Sequence, residues 1–253
     1  MSRDAAGLPG TVELASDPAE LAARAAGWVL GYAATVIAEG RRFHIALAGG
    51  HTPAALYDVL ASAPARKTTD WLRWEFWWGD ERACPPDDAG SNYRLAHDRL
   101  LRHLPLDRLH IHRMRGESPD LAAAAGDYAA ELASHLAAGP GSAPRLDLVL
   151  LGLGTNGHTA SLFPGQKVLD VTDRWVAPAR ADYAPFERLT LTLPTLNAAA
   201  GIAFIVAGAD KGPALREVAA GTAVAARVRP ARGELRWFLD TAAATSMGGA
   251  PGG

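Results

Sequence analysis

Residues 146–164, with the sequence LDLVLLGLGTNGHTASLFP, constrain the fold more than any other part of the chain. Residues 148–151 are an uninterrupted apolar run of strand length, which is typical of a central parallel strand covered on both faces. The glycines at 152, 154 and 157 then allow tight turns and the close approach of a ligand. Because open α/β sheets bind ligands at the carboxyl ends of their strands, the pattern predicts a site here that contains His158.

Two simpler interpretations of this segment compete with that prediction. The letters GLGTNG at 152–157 satisfy the G-x-G-x-x-G pattern of dinucleotide-binding folds, which requires a long helix directly after the glycines. Pro164 lies only six residues beyond His158 and disfavours such a helix, since proline in a helix interior removes a hydrogen bond. The second alternative is that His158 is an ordinary loop residue without a function.

The rest of the chain alternates helical and strand patterns. The alternation predicts an α/β fold with a Rossmann-like, mostly parallel sheet flanked by helices on both faces. We expect a single domain over residues 14–244, an N-terminal extension over 1–13 and a disordered, glycine-rich tail over 245–253. The patterns predict helices at 17–39, 54–61, 92–103, 120–138 and from about 211, and strands at 43–48, 74–78, 110–113, 148–151, 175–179, 188–193, 202–206 and 235–239.

Charge and cysteine content exclude several classes of protein. The 25 basic and 27 acidic residues give a formal net charge of −2, so no global attraction to nucleic acid or to an anionic membrane is expected. Cys84 is the only cysteine, which excludes an intramolecular disulfide and favours a cytoplasmic location. We expect no apolar run that reaches the length of a membrane span. His110 and His112 alternate on one predicted strand but have no third ligand nearby, so no metal site is predicted.

Two groups of residues have the chemistry of an anion site. Gly49, Gly50, His51 and Thr52 supply backbone amides and a hydroxyl just ahead of a helix, an arrangement that suits a phosphate. An ordinary strand-to-helix turn is the alternative for these four. The planar guanidinium groups of arginine also suit phosphate, and an ammonium can bind it as a point charge. The cations at predicted strand ends are Arg82, Arg188 and Lys211.

Five ordered blocks of the sequence resemble the motifs of the 6-phosphogluconolactonases, within the glucosamine-6-phosphate isomerase/deaminase superfamily. The blocks are AGGHTP at 48–53, WGDERACPPDDAGSNYR at 78–94, LGLGTNGHTASLFP at 151–164, RLTLTLPTLNAA at 188–199 and GADK at 208–211. The resemblance implies a NagB/RpiA/CoA transferase-like fold and hydrolysis of 6-phospho-D-glucono-1,5-lactone to 6-phosphogluconate in the pentose phosphate pathway. It implies no metal and no cofactor, and a phosphosugar lactone as the small-molecule partner. We expect the protein to be a monomer or a weak homo-oligomer.

The resemblance also suggests roles for individual residues. His158 matches the family's catalytic base, which draws a proton from the attacking water, and a helix N-terminus nearby would lower its pKa. The positions of Arg82, Arg188 and Lys211 match the family's phosphate and sugar binders. Asp80 would orient a sugar hydroxyl or the water, although an ion pair with Arg82 or a helix cap fits it equally well. Ser91 and Asn92 fit helix capping at least as well as substrate contact.

Two positions depart from the family pattern. The family usually has Asp-Gly-His where this chain has Asn156-Gly157-His158, so Asn156 can hydrogen-bond the catalytic histidine but cannot stabilise imidazolium by charge. His51 stands where the family commonly has serine, which changes one donor of the phosphate loop and leaves its amides available.

Two rival functions remain open from the sequence. The isomerase/deaminase branch resembles Asp-Gly-His followed five residues later by Glu, whereas the matching positions here are Asn156 and Phe163, so two proton-handling carboxylates are absent. A non-catalytic sugar-phosphate sensor is the other rival, because a fold alone does not guarantee activity.

Overall fold

The computed structural model describes residues 7–136 and 143–248. Within these ranges the chain forms strands and helices in largely alternating order. The strands are β1 (Thr11–Ala15), β2 (Phe43–Leu47), β3 (Trp74–Trp78), β4 (Asp80–Arg82), β5 (Leu148–Leu151), β6 (Val176–Arg180), β7 (Glu187–Leu191), β8 (Gly201–Val206) and β9 (Glu234–Asp240). The helices are α1 (Pro18–Ala38), α2 (His51–Leu60), α3 (Ala63–Thr68), α4 (Asn92–Arg99), α5 (Leu121–His135), α6 (Leu193–Ala198), α7 (Gly212–Ala219) and α8 (Thr241–Gly248).

Six strands form a fully parallel sheet in the order β1-β9-β8-β5-β2-β3. β5 lies inside this sheet, and Val149 pairs with Ala46 of β2 on one side and Ile202 of β8 on the other. All four β5 residues are buried, which explains the unbroken apolar run in the sequence. The predicted α/β class, with a mostly parallel sheet flanked by helices, is confirmed.

A second, three-stranded antiparallel sheet with the order β4-β7-β6 was not predicted. The strand patterns near 175–179 and 188–193 do form strands, but they pair with each other and with β4 rather than joining the parallel sheet. β4 follows β3 after the single residue Gly79, so the small sheet begins at the carboxyl edge of the large one. This position brings residues of β4 and β7 to the edge where a ligand site is expected.

Folded elements extend past the predicted domain limits at both ends. Residues 11–13 of the predicted extension belong to β1, which pairs in parallel with β9 from Arg236 to Asp240. Residues 245–248 of the predicted disordered tail belong to α8, and residues 249–253 lie outside the described ranges. The predicted strand at 110–113 is also wrong, since only an isolated bridge joins Ile111 to Phe76.

The first helix, α1, is a long core helix. Asp17 caps its first turn by accepting hydrogen bonds from the backbone amides of Ala19 and Glu20, and Pro18 occupies the first helical position, as the sequence predicts. Contrary to the expectation that no apolar segment reaches such a length, Pro18–Ala38 is long and apolar enough to cross a membrane. Its apolar face is instead buried within the fold, and Trp28 contacts Phe238 of β9.

Candidate active site

A cavity of about 500 Å³ opens at the carboxyl ends of the parallel strands. It is lined by the segments that follow β2, β3, β5 and β8, together with residues of β4 and β7. Nine of the ten residues predicted for the site line this cavity: Gly49, Gly50, His51, Thr52, Asp80, Arg82, His158, Arg188 and Lys211. The tenth, Asn156, is absent from the lining and contacts His158 instead.

His158 lies in the loop after β5, where glycine and an aromatic ring shape its surroundings. A Cβ atom on Gly154 would lie 2.0 Å from Nδ1 of His158, so only glycine leaves room for the imidazole. Phe163 stacks on the imidazole with ring centroids 4.1 Å apart and an interplanar angle of 24°. No helix follows the 152–157 glycines, which excludes the dinucleotide-type arrangement at this loop.

The hydrogen bonds of His158 define its tautomer. Its Nδ1 lies 2.5 Å from Oδ1 of Asn156, whose carbonyl oxygen also accepts the backbone amide of His158 at 3.2 Å. Because a carbonyl oxygen only accepts, the proton of the neutral ring is on Nδ1. Nε2 then carries the lone pair, and it makes no hydrogen bond to any residue in the described ranges. An imidazole in this state can accept a proton.

The pKa of His158 is lowered below its ordinary value of 6.5, and the main cause is burial. The charges of Lys211 and Arg188 lower it further, whereas those of Asp80 and Asp182 raise it. The sequence predicts a lowered pKa from a nearby helix N-terminus. The loop after β5 itself leads into turns rather than a helix, and the amino end of α2 lines the same cavity. The lowered pKa keeps the ring neutral at pH 7.

The phosphate loop predicted at 49–52 is the amino end of α2. This helix begins at His51, three residues earlier than predicted, and Gly50 precedes it with φ of 101°, in the left-handed region. No side chain caps the first turn, so its amides are available to an anion. Gly49 has its own requirement, because a Cβ there would lie 1.9 Å from Oδ1 of Asn92.

Arg82 and Arg188 are direct cross-strand partners in the antiparallel pair of β4 and β7. Arg188 is 1 % exposed, and its Nε and Nη2 atoms are buried with no hydrogen-bond partner among the described residues. Nε of Arg82 is orphaned in the same way, while its Nη1 donates to the carbonyl of Gly90 at 2.5 Å. Burial and the neighbouring Arg82 lower the pKa of Arg188. Like charges directly opposite each other destabilise a sheet. Because an anion bound between the two guanidinium groups would offset their repulsion, this pair is suited to hold one.

Two more residues complete the polar wall of the cavity. Lys211 follows β8 and pairs with Asp210 at 3.1 Å. Tyr183, in the turn between β6 and β7, lies under the guanidinium of Arg188, whose central carbon is 5.2 Å from the ring centroid. No pattern in the sequence singles out Tyr183. An aromatic residue in a short turn gives no periodic signal, and only the folded turn brings it to the site.

Asp80 is buried in the cavity wall and held by two neighbours. Its Oδ2 accepts the hydroxyl of Ser161 at 2.6 Å, and its Oδ1 accepts Nδ2 of Asn92 at 3.1 Å. The alternative of an ion pair with Arg82 is wrong, since the two side chains form no ion pair among the described residues. The carboxylate faces the cavity beside His158, where its charge raises the histidine's pKa.

Glu81 is a buried carboxylate that the sequence analysis did not single out. It accepts the hydroxyl of Ser91 at 2.9 Å and the backbone amides of Asn92 and Tyr93 at 2.7 and 2.8 Å. Ser91 accepts the amide of Arg94, as expected of a helix cap. Glu81 therefore fastens the start of α4 beneath the site, although burial raises its pKa. The WGDER block contains two carboxylates with different partners.

No group of three metal-ligating side chains occurs in the part of the chain that the structure describes. His112 lies between two carboxylates, with Nε2 at 3.0 Å from Glu75 and Nδ1 at 2.7 Å from Glu131. Its ring also stacks on Trp77 with centroids 3.9 Å apart. His112 thus belongs to a buried polar cluster remote from the carboxyl ends of the strands.

Residues 16–237 match the family described as glucosamine-6-phosphate isomerases/6-phosphogluconolactonase. The chain belongs to this family. A 6-phosphogluconolactonase of Nostoc sp. is 38% identical over 241 residues, which cover 94% of this chain and 98% of that protein. The human 6-phosphogluconolactonase is 38% identical over 247 residues, with 95% of each chain covered.

Solved structures agree with this family assignment. The crystal structure of a devB protein superposes with a TM-score of 0.84 at 33% identity, covering 94% of this chain and 100% of that one. The 6-phosphogluconolactonase of Trypanosoma brucei gives a TM-score of 0.84 at 28% identity, covering 95% and 99%. A monomeric glucosamine-6-phosphate deaminase of the NagB superfamily, at 22% identity and a TM-score of 0.75, shares the fold.

Proposed function

We propose that this chain is a 6-phosphogluconolactonase that hydrolyses 6-phospho-D-glucono-1,5-lactone to 6-phosphogluconate in the pentose phosphate pathway, with His158 as the general base. The relatives that match almost the whole chain carry this name. The observation that carries the proposal is the pairing, in one cavity, of a neutral imidazole with buried guanidinium atoms that lack partners. A phosphorylated lactone needs a base at its ester and an anion cradle at its phosphate.

The base end of the cavity would work as follows. Nε2 of His158 takes a proton from a water molecule as the water oxygen bonds to the lactone carbonyl carbon. When the tetrahedral intermediate collapses, the bond from that carbon to the ring oxygen breaks. The imidazolium then returns its proton to the departing ring oxygen, which becomes a hydroxyl. Proton and electron counts balance within the substrate, the water and one histidine, so the reaction consumes only water.

The anion end of the cavity would hold the phosphate and the sugar. The uncapped amides at the start of α2 and the cations Arg82, Arg188 and Lys211 supply its donors. Charge-assisted hydrogen bonds to phosphate are among the strongest available to a protein. Asp80 would accept a hydroxyl of the sugar or of the attacking water, since its carboxylate is already oriented by Ser161 and Asn92.

The environment of His158 favours hydrolysis over isomerisation or deamination. At the position of the carboxylate expected for that branch, Phe163 stacks its ring on the imidazole. Phe163 is 2% exposed, so an apolar surface covers one face of the base. A phenyl ring can exclude water and orient the histidine, but it cannot pass protons along an open sugar chain.

The composition of the chain also bears on its location and partners. The net charge of −2 and the single cysteine support a cytoplasmic enzyme with no nucleic acid and no membrane partner. We propose a monomer or a weak homo-oligomer that needs neither metal nor cofactor.

A comparison of two substrates tests the proposed reaction. Purified protein would be given freshly generated 6-phosphogluconolactone or glucosamine 6-phosphate in the presence of a metal chelator, with spontaneous lactone hydrolysis subtracted. We expect turnover of the lactone alone. Release of ammonia from glucosamine 6-phosphate would overturn the proposal in favour of the deaminase, and absence of both activities would favour the sensor.

A further inference from the structure

Asp182 forms one end of a chain of hydrogen bonds that leads to the imidazole of His158. It lies in the turn between β6 and β7, outside every motif singled out in the sequence. Its Oδ2 accepts Nδ2 of Asn156 at 3.1 Å. Oδ1 of the same amide is bonded to Nδ1 of His158 at 2.5 Å. Carboxylate, amide and imidazole are therefore linked in series.

The amide in the middle of this chain has two possible orientations with opposite consequences. When its carbonyl faces Nδ1 of His158, the ring proton is on Nδ1 and Nε2 can accept a proton. When its NH₂ faces Nδ1, the proton moves to Nε2 and the base is lost. An aspartate has no such ambiguity, because both of its oxygens accept hydrogen bonds. The asparagine at 156 therefore creates a problem that a family-type aspartate does not have.

Two partners of Asn156 can resolve this ambiguity. The backbone amide of His158 can only donate, and it binds the carbonyl oxygen at 3.2 Å, at the long end of the normal range. The carboxylate of Asp182 can only accept, and it binds the NH₂ group. Both contacts demand the same orientation, but only the one from Asp182 depends on a side chain and carries a charge.

We propose that Asp182 is a positioning residue that fixes the amide of Asn156 and thereby holds His158 in the tautomer with Nε2 free. The proposal rests on the proposed function only in giving His158 the role of base. Asp182 supplies, one residue removed, the carboxylate that the family's Asp-Gly-His pattern places directly beside the histidine. Its charge also acts on the ring, since Asp182 raises the pKa of His158 against the effect of burial.

A double-mutant cycle tests the proposal by kinetics. Asp182→Ala should lower kcat about fivefold, the order expected for one hydrogen bond, and change KM less than twofold. The matched control is Asp173→Ala, another exposed aspartate whose partner is Arg174, and it should leave both constants unchanged. In an Asn156→Asp background, Asp182→Ala should not lower kcat, since that aspartate needs no orienting partner and its charge would be repelled by the carboxylate of Asp182. An equal loss in both backgrounds, or no loss in either, would overturn the proposal.

The pH dependence of kcat/KM gives a second kinetic test. Removing the carboxylate of Asp182 destabilises imidazolium, so the acid limb of kcat/KM should move to lower pH in Asp182→Ala. Asn156→Asp adds a negative charge beside the ring and should move the limb to higher pH. Movement of both limbs in one direction would contradict the assignment of Asp182 to this chain of hydrogen bonds.

Nitrogen NMR of the imidazole separates this proposal from the proposed function. Spectra of ¹⁵N-histidine-labelled protein, assigned with His158→Ala, should show Nδ1 protonated in the wild type, a mixture of tautomers in Asp182→Ala and Nδ1 protonated again in the double variant. Full lactonase activity in His158→Ala would refute the base and leave the tautomer measurement intact. An unchanged tautomer in Asp182→Ala would refute the role of Asp182.

Discussion

At the residue scale, the site depends on how much room and how many partners each side chain has. Gly154 leaves room for the imidazole of His158, Phe163 covers one face of that ring, and Asn156 holds its Nδ1. Arg188 shows the opposite condition, since it is buried with two guanidinium nitrogens unpartnered in the described structure. We therefore expect substitutions beside the packed ring of His158 and at the unpartnered guanidinium of Arg188 to have different effects.

Gly154→Ala tests the space around the imidazole of His158. The new Cβ would lie 2.0 Å from Nδ1 and 2.1 Å from Cε1 of His158, so the ring must move. We expect kcat to fall at least about tenfold, since a displacement of 1 Å can cost two orders of magnitude. Gly126→Ala is the control, because nothing lies within 4 Å of its Cβ. Steady-state kinetics with wild-type activity in Gly154→Ala would contradict the placement of the ring.

Arg188→Met tests the anion site. Loss of the guanidinium should raise KM for 6-phosphogluconolactone by about tenfold or more and leave unphosphorylated gluconolactone unaffected, because only the former needs the charge. The free energy of unfolding should not fall, since methionine replaces a buried charge whose hydrogen bonds are unmade. Steady-state kinetics with both lactones check the predicted change in KM, and urea unfolding checks the predicted stability. An equal loss on both substrates would show that Arg188 does not recognise phosphate.

At the element scale, the sequence predicted elements with a strong local signal better than elements without one. α1 and the buried strand β5 follow their sequence patterns closely because capping and apolar periodicity are local signals. β4 has three residues and leaves no such signal, so the antiparallel sheet that carries Arg82 and Arg188 was missed. The predicted residues that line the cavity come from family motifs, whereas Asp182 and Tyr183 come close to His158 only through the fold of the β6–β7 turn.

Helix α1 also contains two glycines that its packing does not require. Gly27 and Gly31 are exposed, and nothing lies within 4 Å of a Cβ built on either. Gly27→Ala and Gly31→Ala should each raise the free energy of unfolding by about 0.5–1 kcal/mol, because alanine loses less backbone entropy in a helix. Urea unfolding measures the change. Destabilisation by either substitution would mean that the outer face of α1 has a partner in solution.

At the scale of the whole molecule, the two ends of the parallel sheet have different chemistry. The carboxyl ends carry the cavity, while His44, Glu75 and His112 lie away from it, with His44 bonded to Trp77 and His112 bonded to Glu75. Burial lowers the pKa of His44 to about 4, and Trp77 donates its indole N–H to Nδ1 of the neutral ring at 3.2 Å. Protonation of His44 is therefore coupled to global stability.

His44 should make the protein less stable in acid. The folded-state pKa of about 4 lies below the ordinary value of 6.5, so between these values the unfolded chain binds a proton that the folded chain does not. The free energy of unfolding should fall as pH drops from 6.5 to 4, and fall less steeply in His44→Gln, whose amide can accept from Trp77. Exposed His103→Gln is the control. Equal slopes in wild type and His44→Gln would contradict burial of a neutral ring.

Measuring kcat/KM against pH in wild type and His158→Ala shows whether the neutral imidazole of His158 is the base for lactone hydrolysis. Spontaneous hydrolysis is subtracted at every pH, a chelator is present, and His103→Ala serves as the matched histidine control. We expect a wild-type acid limb below pH 6.5, because burial lowers the pKa of His158, and loss of both the limb and the catalysed rate in His158→Ala. A variant that hydrolyses the lactone at the wild-type rate with the same acid limb would contradict it.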